Sequence, residues 1–238
     1  MNSIIYLLSK YCFVCRAQGY WIILSTKLDK YLCVPHDDLS AIGNRLHGWQ
    51  TEDIGAPRSV HADGDALIAS LITNGIITDN PKKGKPFSEP DYALHLGSVE
   101  TAQQVAPTSV SLLCTMRFFL ACARVDWRLR MTPFFWTLAR IERRRTTART
   151  RTVSLDQAHA LTSIAVFRRL RPLYPRPYLC LFESLALLEF LAAYHFFPNL
   201  VFGVIGDPFQ AHCWLQYRSV VLNDDAEVVS RYKPILRI

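Results

Sequence analysis

Between Tyr178 and Phe197 runs a stretch of 20 residues, most of them apolar, that must be hidden from water. A helix of that length can either cross a bilayer or fill the middle of a domain. Glu183 and Glu189 decide between the two. A carboxylate held in hydrocarbon costs several kcal/mol, so the expectation is a buried core helix of a globular domain, from Leu179 to about Tyr194. Pro172, Pro175 and Pro177 break the chain just before it. Three short β-type runs follow: Leu200 to Ile205, His212 to Tyr217 and Val220 to Leu222. Arg218-Ser219 is a tight connection, and the last two runs are expected to pair as a hairpin.

The whole chain has 238 residues, 50% hydrophobic and 20% charged, which fits folded domains and excludes a disordered chain. Seven cysteines occur without framework spacing, and Lys10 and Arg16 interrupt the only N-terminal apolar run. Reduced thiols and a cytoplasmic location are therefore expected. The formal charge is +7, and nine arginines fall between Arg124 and Arg151. Such a run is first of all a solvated linker or a charged helix face. Trp127 and Trp136 keep a nucleic-acid surface open as an alternative, but no nucleic-acid partner is assigned and membrane contact is not the expectation.

Residues 1–80 hold β-type runs at Ile4 to Leu8, Tyr20 to Leu24 and Tyr31 to Val34, with Cys12-x-x-Cys15 placed in a strand. The polar turn Ser25 to Lys30 suits an antiparallel hairpin. His36-Asp37-Asp38 precedes Leu39, Ile42 and Leu46, which is helical spacing behind an acidic N-terminus. A second helix fits Asp65 to Thr73, ended by Asn74-Gly75, and Ile76 to Thr78 returns as a strand. Together these describe a small winged-helix-like module. Prolines and lysines at 81–108 read as a linker. Helices are expected over Ser109 to Arg130, Phe134 to Arg145, and from the capping box Ser154-Leu155-Asp156-Gln157 to about Arg169. The fold class is α+β, with the last domain at 109–238.

Three residues of the C-terminal part have mutually compatible chemistry. Cys180 opens the apolar helix, where free N–H groups and the helix dipole favour a thiolate. His212 opens a strand, which fixes the direction of its ring. Asp224 follows the paired strand, at a place where it can steady one imidazole nitrogen and leave the other for sulfur. Each residue alone has a plainer explanation: an inert thiol, a structural histidine, a turn. As a set they describe a nucleophile, a base and an orienting carboxylate, with Asp225 the weaker alternative to Asp224. The Cys180 backbone N–H is a candidate oxyanion donor. No metal site is assigned, because Cys180, His212 and Cys213 lack a fourth ligand at the usual spacing.

Cys180-Leu181-x-x-Ser184, Phe202-Gly203-Val204, Pro208-Phe209-x-Ala211-His212-x-Trp214 and Val221-Leu222-Asn223-Asp224 resemble the lasso-peptide B proteins. These are leader peptidases with a transglutaminase-like, papain-like thiol hydrolase core. The helical middle agrees in general character only. The resemblance implies a Cys180-His212-Asp224 triad that removes the leader of a ribosomally made precursor peptide. It also implies an N-terminal recognition element that binds the leader as an added strand, placed here at Tyr31, Leu32, Cys33 and Val34 with Leu39, Ile42 and Leu46 of the first helix. It further implies a partner, an asparagine-synthetase-like lasso cyclase, with ATP used by the maturation system. No Gly-rich phosphate loop occurs, so this chain is assigned no bound cofactor and no nucleotide site. The rival functions are transglutaminase-type acyl transfer, a non-catalytic precursor-binding chaperone, and a winged-helix nucleic-acid binder.

Overall fold

The computed structural model of the chain describes residues 4–49, 63–89, 100–101, 110–149 and 157–238. It divides into two compact units. The first comprises Met1–Tyr92 with Val204–Gln210 and Lys233–Leu236, and the second Ala93–Gly203, Ala211–Tyr232 and Arg237–Ile238.

In the N-terminal part of the first unit, strand β1 is Leu7–Ser9, β2 Cys12–Ala17, β3 Tyr20–Ser25 and β4 Lys30–Pro35. Strands β2, β3 and β4 form an antiparallel meander, with Cys15 opposite Ile22 and Ile23 opposite Leu32. The middle strand β3 is an almost unbroken apolar run because both of its faces are covered. Helix α1 (His36–Ala41) and helix α2 (Gly64–Thr73) follow. The side chain of Asp63 caps α2 by accepting from the Asp65 N–H. Gly75, at φ +64°, takes the left-handed conformation that ends it. Strands β5 (Ile77–Thr78) and β6 (Gly84–Lys85) flank β1 in a second small sheet. Leu8, Val14, Trp21, Ile23, Leu39, Leu71 and Phe87 make a shared core.

Two expectations change here. The first helix stops at Ala41 and continues as a 3-10 turn, Gly43–Arg45. Trp49 lies so close to Gly43 that a side chain there would meet its indole ring. Residues 81–89 are not linker, since β6 pairs with β1 and Phe87 is buried in the core. The rest of the expected linker lies outside the described residues except for β7 (Glu100–Thr101), as do Ser154 to Asp156 of the capping box.

The second unit contains helix α3 (Leu112–Met131), α4 (Phe134–Arg149), α5 (Gln157–Leu170) and α6 (Cys180–Ala192). Ser111 caps α3, its hydroxyl accepting from the Cys114 N–H at 3.2 Å. The apolar stretch that begins at Tyr178 does form a core helix: α6 packs against α3 and α5, and Phe182, Ser184 to Leu188, and Phe190 to Ala192 are buried. The two carboxylates of that stretch are met by arginines. Glu189 accepts from Arg128 at 2.9 Å and Arg144 at 2.7 Å, and Glu183 from Arg171 at 2.6 Å. Among the described residues no helix is long and apolar enough to cross a membrane. Strands β8 (Asn199–Ile205), β9 (Gln210–Tyr217) and β10 (Val220–Val221) follow, then the short helix α7 (Ala226–Val229) and β11 (Lys233–Arg237). The sheet order is β11-β8-β9-β10-β7. The hairpin between β9 and β10 forms as expected, with Arg218 at φ +53° in its turn.

Candidate active site

Helix α6 and strand β9 build the site between them. Cys180 is the first residue of α6. Leu179 before it supplies no side-chain cap, so the first N–H groups of the helix point outward unclaimed by the helix itself. On β9 alternate residues face opposite sides, which separates His212 and Trp214 from Cys213 and Leu215. The strand is fixed to the helix one turn beyond Cys180. Ser184 Oγ donates to the Cys213 carbonyl at 3.1 Å, and Asn223 Nδ2 donates to that same hydroxyl at 2.9 Å. Asn223 Oδ1 in turn accepts from the Leu215 N–H at 2.7 Å. Helix, strand and the turn after β10 are thereby joined through two short polar side chains.

That junction sets the direction of the reactive groups. Asp224 Oδ2 lies 2.5 Å from His212 Nε2, and Asp224 Oδ1 accepts from the Asp225 N–H at 2.8 Å. With Nε2 taken, Nδ1 is the ring nitrogen left for sulfur. Arg168 Nη2 donates to the Leu222 carbonyl at 2.8 Å and steadies the same turn. The imidazole stacks near Trp214, with centroids 6.1 Å apart, and near Tyr232 at 5.2 Å. Gly203 makes room for this bed, since a Cβ there would meet the Trp214 ring and Tyr232.

The electrostatics follow from these contacts. Hydrogen bonds from the Cys213 thiol and from His212 outweigh burial and bring the Cys180 thiol down to about 4. The bond to Asp224, helped by Cys180, pushes His212 up to about 9. Burial works to raise Asp224, but His212, the Asp225 N–H and Arg168 hold it below the usual carboxylate range. Cys213 is raised well above the ordinary thiol range by its bond to Cys180 and by burial, so it stays protonated and donates. The arrangement is a thiolate beside an imidazolium that a carboxylate steadies.

Residues 119–237 match the model of a family described as the transglutaminase-like superfamily. The chain belongs to that superfamily. No curated protein and no solved structure matches the chain. Transglutaminase-like chemistry is of the cysteine-protease or acyl-transferase type, in which a cysteine is the nucleophile.

Of the residues singled out in the sequence, Cys180, His212 and Asp224 come together within this transglutaminase-like domain. Asp225 does not join them, because its carboxylate accepts from the Glu227 N–H at 2.9 Å and caps α7. Among the described residues no three His, Cys, Asp or Glu side chains gather as a metal site. The expected peptide-binding set divides. Leu32 and Cys33 are exposed on β4, and Tyr31 is partly so. Val34, Leu39, Ile42 and Leu46 are buried in the N-terminal core, where they hold their own elements together and offer no side chain to a ligand.

Arg171 is the residue that sequence reasoning missed. It is 3% exposed, and its guanidinium meets Glu183 and the carbonyls of Tyr174, Arg176 and Pro177. It also lies over the rings of Tyr178 and Phe182. It thus ties the proline-broken segment to the first turn of α6 and sets where Cys180 starts. Arg171→Met takes the guanidinium from the partly buried Glu183 carboxylate and from the Arg176 and Pro177 carbonyls, while the Tyr174 carbonyl keeps the Arg176 N–H at 2.8 Å. The expected loss is ~3–5 kcal/mol of unfolding free energy, read from urea denaturation.

Proposed function

We propose that this chain is a cysteine peptidase that removes the leader from a ribosomally made lasso-peptide precursor, acting beside an ATP-dependent, asparagine-synthetase-like cyclase. The observation that carries this reading is the meeting of Cys180 and His212 at the start of α6, with Asp224 bonded to the far side of the ring. The thiolate attacks the scissile carbonyl. His212 gives its proton to the departing amine, and an acyl-enzyme forms on Cys180. His212 then takes a proton from water, which releases the acid and restores the sulfur. The Cys180 N–H, free at the helix start, faces the developing oxyanion.

Capture of the leader is assigned to strand β4. Among the described residues no strand pairs with its outer edge, and Leu32 and Cys33 present side chains there. An extended peptide added to such an edge gains backbone hydrogen bonds, while side-chain pockets select its sequence. ATP belongs to the cyclase in this scheme, and no step of the cleavage uses it.

The test is incubation of the protein with a full-length precursor, followed by mass spectrometry. Hydrolysis yields a leader fragment with one added water. A product carrying an amine instead assigns the acyl-transferase type of reaction, and an intact precursor overturns both. The pH dependence has a definite sign. Cys180 sits far below its ordinary value, so thiolate is present above about 4 and lost as the pH falls through it. His212 sits above its ordinary value, so imidazolium is present below about 9 and lost as the pH rises through it. The rate is therefore expected to follow a broad bell between those limits. A rate that rises only above pH 8, as for an ordinary thiol, contradicts it.

A further inference from the structure

The long helix α3 has two apolar faces, and only one of them is used by the fold. Phe118, Ala121, Cys122 and Val125 point into the core. On the opposite side Leu112, Leu113, Met116, Leu120, Trp127 and Met131 form a second stripe, each between 49% and 77% exposed. By helical geometry these six lie within a sector of roughly 100° and run for about 28 Å. Monomeric proteins rarely leave so continuous an apolar line in water without using it. Trp136, at the start of α4, is also 61% exposed and lines one groove with Trp127, Arg128, Arg140 and Arg143.

The charge around this stripe is almost all of one sign. Residues 112–149 carry nine arginines against Asp126 and Glu142, an excess equal to the +7 of the whole chain. Asp126 is already engaged by Arg130 and Arg176. The buried Glu189 is shared by Arg128 and Arg144, with Arg124 at 3.9 Å, so even this cluster keeps a positive remainder.

We propose that the outer face of α3, with the Trp136 end of α4, docks on an anionic membrane surface. A helix that lies in the headgroup plane needs an apolar stripe, a basic border and indoles at the boundary, and all three are present here. The stripe is the convex side of a helix, which meets a plane better than it encloses a peptide. An acidic protein segment would match the charge, but it leaves unexplained a straight apolar line of this length. The proposal is independent of the peptidase reading, because none of these residues touches Cys180, His212 or Asp224.

The experiment is co-sedimentation of the full chain with vesicles of phosphatidylcholine alone or mixed with phosphatidylglycerol, with indole fluorescence followed in parallel. Binding is expected on the anionic vesicles only. It should weaken at least about tenfold when salt rises from about 50 to 500 mM, with a blue shift on binding. Leu113→Ser/Leu120→Ser/Trp127→Ser and, separately, Arg140→Glu/Arg143→Glu should each reduce binding by about tenfold or more. All these positions are exposed, so the far-ultraviolet circular dichroism and the rate of Cys180 alkylation should not change. Three outcomes overturn the proposal: no binding at low salt, which assigns the stripe to a protein partner; equal binding to neutral vesicles; or binding that both variants retain in full.

Discussion

Cys180→Ala is expected to abolish precursor cleavage, with a loss on the order of 10⁴-fold or more, while the protein stays folded. The size of the effect comes from the chemistry: no other group in the site can form the acyl bond. Cys213 is the nearest sulfur, but it is buried and held protonated by its surroundings. The fold should survive because alanine suits the first turn of a helix and because the contacts that tie α6 to β9 run through Ser184 and Asn223. The companion measurement is alkylation near pH 5.5, where an ordinary thiol is almost wholly protonated. Peptide mapping should find Cys180 labelled well ahead of the other thiols in the parent protein, Cys114 included, whose thiol is also lowered by its bonds with Ser111 and Tyr194, and no label at position 180 in the variant. If Cys180→Ala matures the precursor at the parental rate, the chain is a presenting chaperone and the peptidase assignment fails.

What the sequence made legible was the part governed by local rules. The apolar run ending at Phe197 declared a buried helix because its two carboxylates excluded lipid. The β9–β10 hairpin was visible from its short polar connection. Cys180, His212 and Asp224, which the structure brings together, were singled out by residue type and position, together with a family resemblance. What remained hidden depended on distant partners. Arg171 looked like one more polar residue in a proline-broken segment, and nothing local marks a guanidinium that will be buried against Glu183 and three carbonyls. Strand β11 contains Pro234, and β7 is two residues paired in parallel with β10, so neither shows the alternation that announces a strand. At Leu39, Ile42 and Leu46 the apolar spacing correctly located an element packed on one face. That face turned inward, because such spacing reports what an element buries against its own core before it reports any ligand. The same distinction bears on α3, which was expected as a helix over Ser109 to Arg130, while the division of its apolar residues into a buried face and an exposed stripe became visible only once exposure was known.

His212→Ala is expected to lower cleavage by ~10³-fold and to change the sulfur itself. Two separate losses contribute. The departing amine no longer receives a proton from a positioned acid, a contribution of about 10²–10⁴ in rate. The thiolate also loses its counter-charge. In the parent protein the Cys213 thiol and His212 both bond to Cys180, and between them bring it to about 4. An S–H group is a weak donor and carries no charge, whereas an imidazolium is a charged donor. The alkylation midpoint of Cys180 should therefore rise in both His212→Ala and Cys213→Ala, and further in the first. In His212→Ala it should still stop short of the ordinary value of 9.0, since the Cys213 donor and the helix start remain. The variant that removes only the steadying carboxylate, Asp224→Asn, should fall between: His212 loses the bond that chiefly holds it near 9, and the alkaline limb of the rate moves down toward neutrality. A midpoint in His212→Ala indistinguishable from the parental one means that the imidazole does not stabilise the sulfur. The ion pair, and the cleavage mechanism built on it, would then have to be abandoned.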